Sequence, residues 1–183
     1  MSVSVLVLPG YGDSDPEHWQ SRWEAADPRL RRVQQRDWLE PRVDDWVTTL
    51  DGEVSACAAP PVLVAHSLGC VLVAHWVQRR GHGVRGALLV APVDVDAIAD
   101  VLAAVESFRP VPLVSLPFPS IVVASDDDVY TTRTRAEMFA RAWGSRFVCL
   151  AGAGHINSES GHGEWPEGRT LLDGLLRGGP GDR

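Results

Sequence analysis

The sequence predicts an α/β fold: a single six-stranded parallel sheet with helices on both faces and no cap domain. Three observations carry the prediction. Short apolar runs recur along the chain, and stretches with the period of an amphipathic helix stand between them. At residues 61–76, PVLVAHSLGCVLVAHW, a strand runs directly into a helix through one serine. Such alternation favours parallel pairing, because each right-handed crossover packs its helix back on the sheet.

Strands are expected at VSVLVL (3–8), RRVQQRDW (31–38, the weakest), PVLVAH (61–66), RGALLVA (85–91), SIVVAS (120–125) and RFVCLA (146–151). The first helix follows Pro16 in PEHWQSRWEAA, and the second is VDDWVTTLDGEVSACA (43–58). LGCVLVAHWVQRR leaves the serine, and DVDAIADVLAAVESF (94–108) follows the fourth strand. The last two helices are TTRTRAEMFARAW (131–143) and GRTLLDGLL (168–176). RPVPLVSLPFPS (109–120) is a Pro-rich connection, too short to be a domain. The expected sheet order is 2-1-3-4-5-6. One domain over residues 1–177 and a flexible tail over 178–183 complete the organisation.

Composition narrows the class. With 45% hydrophobic and 22% charged residues, the 183-residue chain reads as an ordinary globular domain. A formal net charge of -7 with scattered basic residues argues against nucleic-acid binding, and the cluster Arg29, Arg31, Arg32 reads as the solvated entry to a strand. The apolar run at the N-terminus has no positive flank and is too short for a secretory signal or a membrane span, so a cytoplasmic protein without membrane attachment is expected. Cys57, Cys70 and Cys149 lack metal-ligand spacing and read as reduced thiols.

In A-H-S-L-G, positions 65–69, small residues stand two before and two after Ser67, the pattern of a nucleophile elbow. Such a turn lifts the serine Oγ clear of the sheet and leaves the amide of Leu68 free to bind an oxyanion. A helix-capping serine in an ordinary turn is the other reading of the same residues. The elbow demands a base and an acid in the order Ser, Asp, His. His155 in AGAGHIN follows the last strand at the same sheet edge as the serine, with His162 in SGHGEW as its rival. Asp128 lies furthest into the loop after the fifth strand. Asp126 and Asp127 read as turn formers and a cap, and Asp94 and Asp96 as caps of the helix they open. A cation site in the aspartate triplet lacks ligand spacing, so no metal is expected. LPGYG after the first strand brings the amide of Tyr11 to the switch point between the first and third strands as a second oxyanion donor. Gly10 and Gly12 lack the third glycine of a dinucleotide fingerprint, and no Walker A motif is present.

Together these residues resemble the small α/β-hydrolases of the retinoblastoma-binding-protein-nine-like (YdeN-like) family of serine hydrolases. LPGYG with HWQSRWE, RDWLEP with DDWVTTLD, VLVAHSLGC, and PFPSIVVASDDD with AGAGHINSESGHGEWPEG carry the resemblance over nearly the whole chain. It implies Ser67 as nucleophile, His155 as base, Asp128 as its orienting acid, a compact core and no cofactor. Val129 departs from the proline the family often has after that aspartate. The L-x-C-x-E motif is absent, so a retinoblastoma-type partner is not carried over.

The expected activity is hydrolysis of a small ester, thioester or activated amide through an acyl-enzyme, rising with pH as the imidazole loses its proton. Acyl transfer on the same residues and a non-catalytic protein-binding module are the alternatives. A haloalkane-type reaction is disfavoured, since it uses an aspartate at the elbow. Most of the seven tryptophans are expected to pack the core, and Trp165 is a candidate for the rim of the substrate site.

Overall fold

The computed structural model describes residues 3–81 and 83–178. The segment 179–183 of the expected tail and His82 lie outside the described residues. In chain order the elements are β1 (Val5–Leu8), α1 (Trp19–Ala26), β2 (Leu30–Arg32), α2 (Val43–Ser55), β3 (Val62–His66), α3 (Leu68–Arg79) and β4 (Gly86–Val90). There follow α4 (Val95–Ile98), a 3₁₀ turn (Ala103–Phe108), β5 (Ser120–Ser125), α5 (Arg133–Trp143), β6 (Arg146–Leu150) and α6 (Pro166–Arg177). All strands pair in parallel in the order β2-β1-β3-β4-β5-β6, as the alternation predicts.

Side chains alternate across the pleat and divide the interior in two. Leu6, Leu8, Leu63, Ala65, Ala87, Leu89 and Val122 meet α2, α3 and α5 on one face. Val5, Val7, Val62, Val64, Leu88, Val90 and Val123 meet α1 and α6 on the other. α2 shows the one-sided stripe this requires: Val43, Trp46, Val47, Leu50 and Val54 are buried, and Asp44 and Asp45 favour its N-terminus. α3 is buried on every side from Leu68 to Trp76, which explains its nearly continuous apolar sequence. α5 starts on a Thr132 hydroxyl that accepts from the Arg135 amide and stops at Gly144, φ 70°.

Two elements differ from expectation. The second strand covers 30–32 rather than 31–38: Val33 donates one last bond to the Val7 carbonyl, and the polar chain beyond turns away so that the Trp38 carbonyl receives the Gly12 amide. The helix expected over 94–108 is broken into α4 and the 3₁₀ turn. Asp94 and Asp96 do not cap it. Their carboxylates bind Arg135 of α5 at 3.0 and 2.6 Å, and Asp96 also accepts from the Val111 amide. These tertiary bonds hold the segment open where periodicity alone suggests one helix.

Candidate active site

Ser67 separates β3 from α3 at φ 54° and ψ −119°, a conformation that non-glycine residues rarely hold. Its hydroxyl makes no cap bond to α3, which removes the helix-capping reading. Close backbone contacts impose the turn. A Cβ on Gly69 would lie 2.3 Å from the Leu8 carbonyl oxygen, so only glycine lets α3 begin against the end of β1. A Cβ on Gly10 would meet the Ser67 Cβ at 2.8 Å and the Leu68 amide nitrogen at 3.3 Å. The chain leaving β1 therefore passes directly over the elbow.

Ser67 Oγ lies 3.0 Å from His155 Nε2, and His155 Nδ1 lies 2.8 Å from Asp128 Oδ2. With the Nδ1 proton donated to the carboxylate, Nε2 is free to accept from the serine hydroxyl. Asp128 also accepts the Tyr130 amide at 2.9 Å, which fixes its orientation. The histidine loop is anchored at successive peptide groups. The amides of Gly152, Ala153 and Gly154 donate to Asp126, the Ser125 hydroxyl and Asp127 at 2.8, 2.9 and 2.7 Å. The carbonyls of His155 and Ile156 accept from His66 Nε2 at 2.9 Å and Trp19 Nε1 at 2.8 Å. Asp127 stays ionised below the usual carboxylate range because the Ser125 hydroxyl and the Gly154 amide donate to it.

Asp126 and Asp127 thus fasten the loop while Asp128 meets the imidazole. His162 is turned elsewhere, its Nε2 3.0 Å from the Ala153 carbonyl oxygen.

A cavity of about 270 Å³ opens above Ser67 and His155, and Tyr11 and Leu68 line it. One side is aliphatic: Val93, Ile98, Leu102 and Val105. Asp13, His18, Tyr130 and Asn157 are polar liners. Trp165 does not reach this cavity. It is 3% exposed, stacks on Trp23 at 5.9 Å and meets Trp19 edge-on at 5.1 Å, so the rim role expected for it is replaced by packing beneath α6. Its backbone at the start of α6 is left-handed, φ 42°, and a Cβ on Gly168 would collide with the indole.

His18, which the sequence places in the first helix, and His66, which it reads as an elbow residue pointing away, both line the site. His66 faces the His155 loop, and burial, reinforced by its histidine neighbours, holds its pKa well below the ordinary value. His18 starts α1 with its Nδ1 accepting the Gln20 amide, and burial pushes its pKa down to about 4. Its signal in the sequence is a polar residue at the mouth of a helix that follows the first strand's loop. The rings of His18 and His66 lie 4.7 Å apart, and those of His66 and His155 4.8 Å apart. Burial also raises the Cys70 thiol's pKa, so it stays protonated. Among the described residues no helix is long and apolar enough to cross a membrane.

Comparison with known proteins agrees with this architecture. A YdeN-like hydrolase from Pectobacterium atrosepticum superposes with a TM-score of 0.86 at 34% identity over 96% of this chain and 91% of that one. The ydeN product of Bacillus subtilis gives 0.75 at 20% identity over 96% and 100%. In sequence, the hydrolase YdeN of strain 168 is 29% identical over 82 residues, 43% of each chain, so the alignment spans less than half of that relative's length. A monoacylglycerol lipase from Paleococcus ferrophilus, 10% identical, shares the fold with a TM-score of 0.72 over 98% and 97%. The fold is that of the α/β-hydrolases. The serine hydrolase family model matches residues 5–174, and the chain belongs to that family.

Proposed function

We propose that the protein hydrolyses carboxylic esters, or related thioesters and activated amides, through an acyl-enzyme on Ser67. The observation that carries this reading is the unbroken chain from Ser67 Oγ through the His155 ring to Asp128, with contacts of 3.0 and 2.8 Å. His155 takes the hydroxyl proton as Oγ attacks the carbonyl carbon, and Asp128 holds the imidazolium that forms. The amides of Leu68 and Tyr11 are assigned the oxyanion, supported by the passage of the Gly10 backbone over the elbow. His155 then returns the proton to the leaving group, and water releases the acid by the same path. The substrate is a small molecule, and the segment between β4 and β5 supplies one wall of the cavity that receives it.

The test is covalent capture. A fluorophosphonate should add one adduct to the wild-type chain, seen by intact mass, and none to Ser67→Ala. The same substitution should lower p-nitrophenyl ester turnover by about 10⁵-fold or more. Failure of the wild type to label, or labelling that survives Ser67→Ala, would refute the assignment.

A further inference from the structure

We infer that the preferred substrates are esters of short- to medium-chain aliphatic acids with a small alcohol that carries an oxygen acceptor. The inference rests on the hydrolase reading above and assigns each part of the cavity to one part of the ester.

The direction in which a substrate lies follows from the proton path. As the acyl–oxygen bond of the ester breaks, the alkoxide takes its proton from His155 Nε2, so the alcohol part must sit on the His155 side. That side is polar. The His155 ring meets Tyr130 at 4.6 Å and His66 at 4.8 Å, and His66 in turn meets His18 at 4.7 Å. The aliphatic liners Val93, Ile98, Leu102 and Val105 come instead from one stretch after β4, and the acyl chain is left to them.

The polar side contains a donor without a partner. His18 Nδ1 accepts the Gln20 amide at 3.1 Å, so the ring's proton is on Nε2, and Nε2 meets no acceptor among the described residues. The residue is only 3% exposed. Its position is built: Gln20 is held by the Ser14 hydroxyl at 2.7 Å and donates to the Val64 carbonyl at 3.1 Å. A buried N–H without an acceptor is unfavourable, and an oxygen on the alcohol part of the substrate relieves it. Asp13, the carboxylate on this side, is already bound to Arg32 at 2.7 Å, so a cationic alcohol is not selected.

Size sets the chain. At roughly 30 Å³ per water-sized group, about 270 Å³ takes on the order of nine non-hydrogen atoms. Three are the reacting carboxyl group, and the six that remain are shared by the acyl chain and the alcohol, which fits an acid of about four to six carbons with part of a small alcohol.

The experiment has two arms, each read as a ratio within one variant, so that absolute activity does not matter. With p-nitrophenyl esters, kcat/KM should rise about fourfold per methylene from acetate to hexanoate and level off by octanoate. Leu102→Trp, with Ile98→Trp as a second variant of the same wall, should move the optimum to butyrate or shorter. With hexanoate esters of the near-isosteric alcohols 2-methoxyethanol and butanol, wild type should favour the ether by about tenfold. His18→Asn, which keeps a helix-capping oxygen, should bring that ratio close to one. A flat chain-length profile, an optimum that neither tryptophan moves, or an ether preference unchanged in His18→Asn overturns the inference. Diisopropyl fluorophosphate labelling of the same samples separates the two levels. Labelling of Ser67 with a flat profile leaves the hydrolase reading standing, whereas absence of labelling overturns both.

Discussion

Asp127 and Asp128 are chemically identical neighbours with different surroundings. Asp127 receives the Ser125 hydroxyl at 2.5 Å and the Gly154 amide at 2.7 Å, whereas Asp128 receives the His155 ring at 2.8 Å. An amide at 127 still offers an oxygen to both donors. An amide at 128 offers its NH₂ or its oxygen to Nδ1, and the wrong tautomer of His155 becomes accessible. Asp128→Asn should therefore lower kcat by about 10⁴-fold, as loss of the orienting acid does in comparable sites. Asp127→Asn should cost only about tenfold, through a looser loop. Steady-state rates on p-nitrophenyl acetate check both. The reverse order would move the orienting acid to Asp127, the ambiguity that Val129 introduces into the sequence pattern.

At the scale of elements, the site depends on two loops laid against a rigid turn. The loop after β6 is anchored at Gly152, Ala153, Gly154, His155 and Ile156 by groups from the β5 end, β3 and α1. The loop after β1 is fastened by Arg32, which binds Asp13, the Ser14 carbonyl, Ser21 and Glu24. Gly10 lies where this loop crosses the elbow, and a Cβ there collides with Ser67 Cβ. Gly10→Ala should thus shift the loop away and lower kcat by about 10²-fold with little change in KM. Equal losses of acetate turnover and thermal stability would show a folding defect instead. Which parts were legible in the sequence follows from the range of the forces involved. The sheet order and the meeting of Ser67, His155 and Asp128 follow from alternation and from loops at one sheet edge, which are local patterns. The break after Ile98 and the inward turn of Trp165 are set by Arg135, Trp19 and Trp23, partners distant in sequence. His18 reads in the sequence only as a residue of the first helix, because its ring joins the cavity through the fold of the β1 loop.

For the whole molecule, neutral histidines tie stability to pH. His18, His66 and His75 all lie below the ordinary histidine pKa, chiefly because burial disfavours the charged ring. The unfolded chain takes up protons at these positions near pH ~6.5, whereas native His18 resists until about 4. Between those values the unfolded state holds more protons, so unfolding free energy must fall as pH decreases through this window. The carboxylates held low, Asp27 by Arg29 and Asp127 by Ser125, add their own loss only as pH falls further, below ~4. The mildly acidic slope is therefore a histidine property. Taking His18 alone, lowering the pH from about 7 to about 5 should remove about 2 kcal/mol of stability. Urea unfolding at the two pH values, in wild type and His18→Asn, measures that share: the variant should lose about 2 kcal/mol less than wild type. Equal losses in the two proteins would mean that His18 titrates as an exposed histidine does, and the buried neutral ring assigned to it would be wrong.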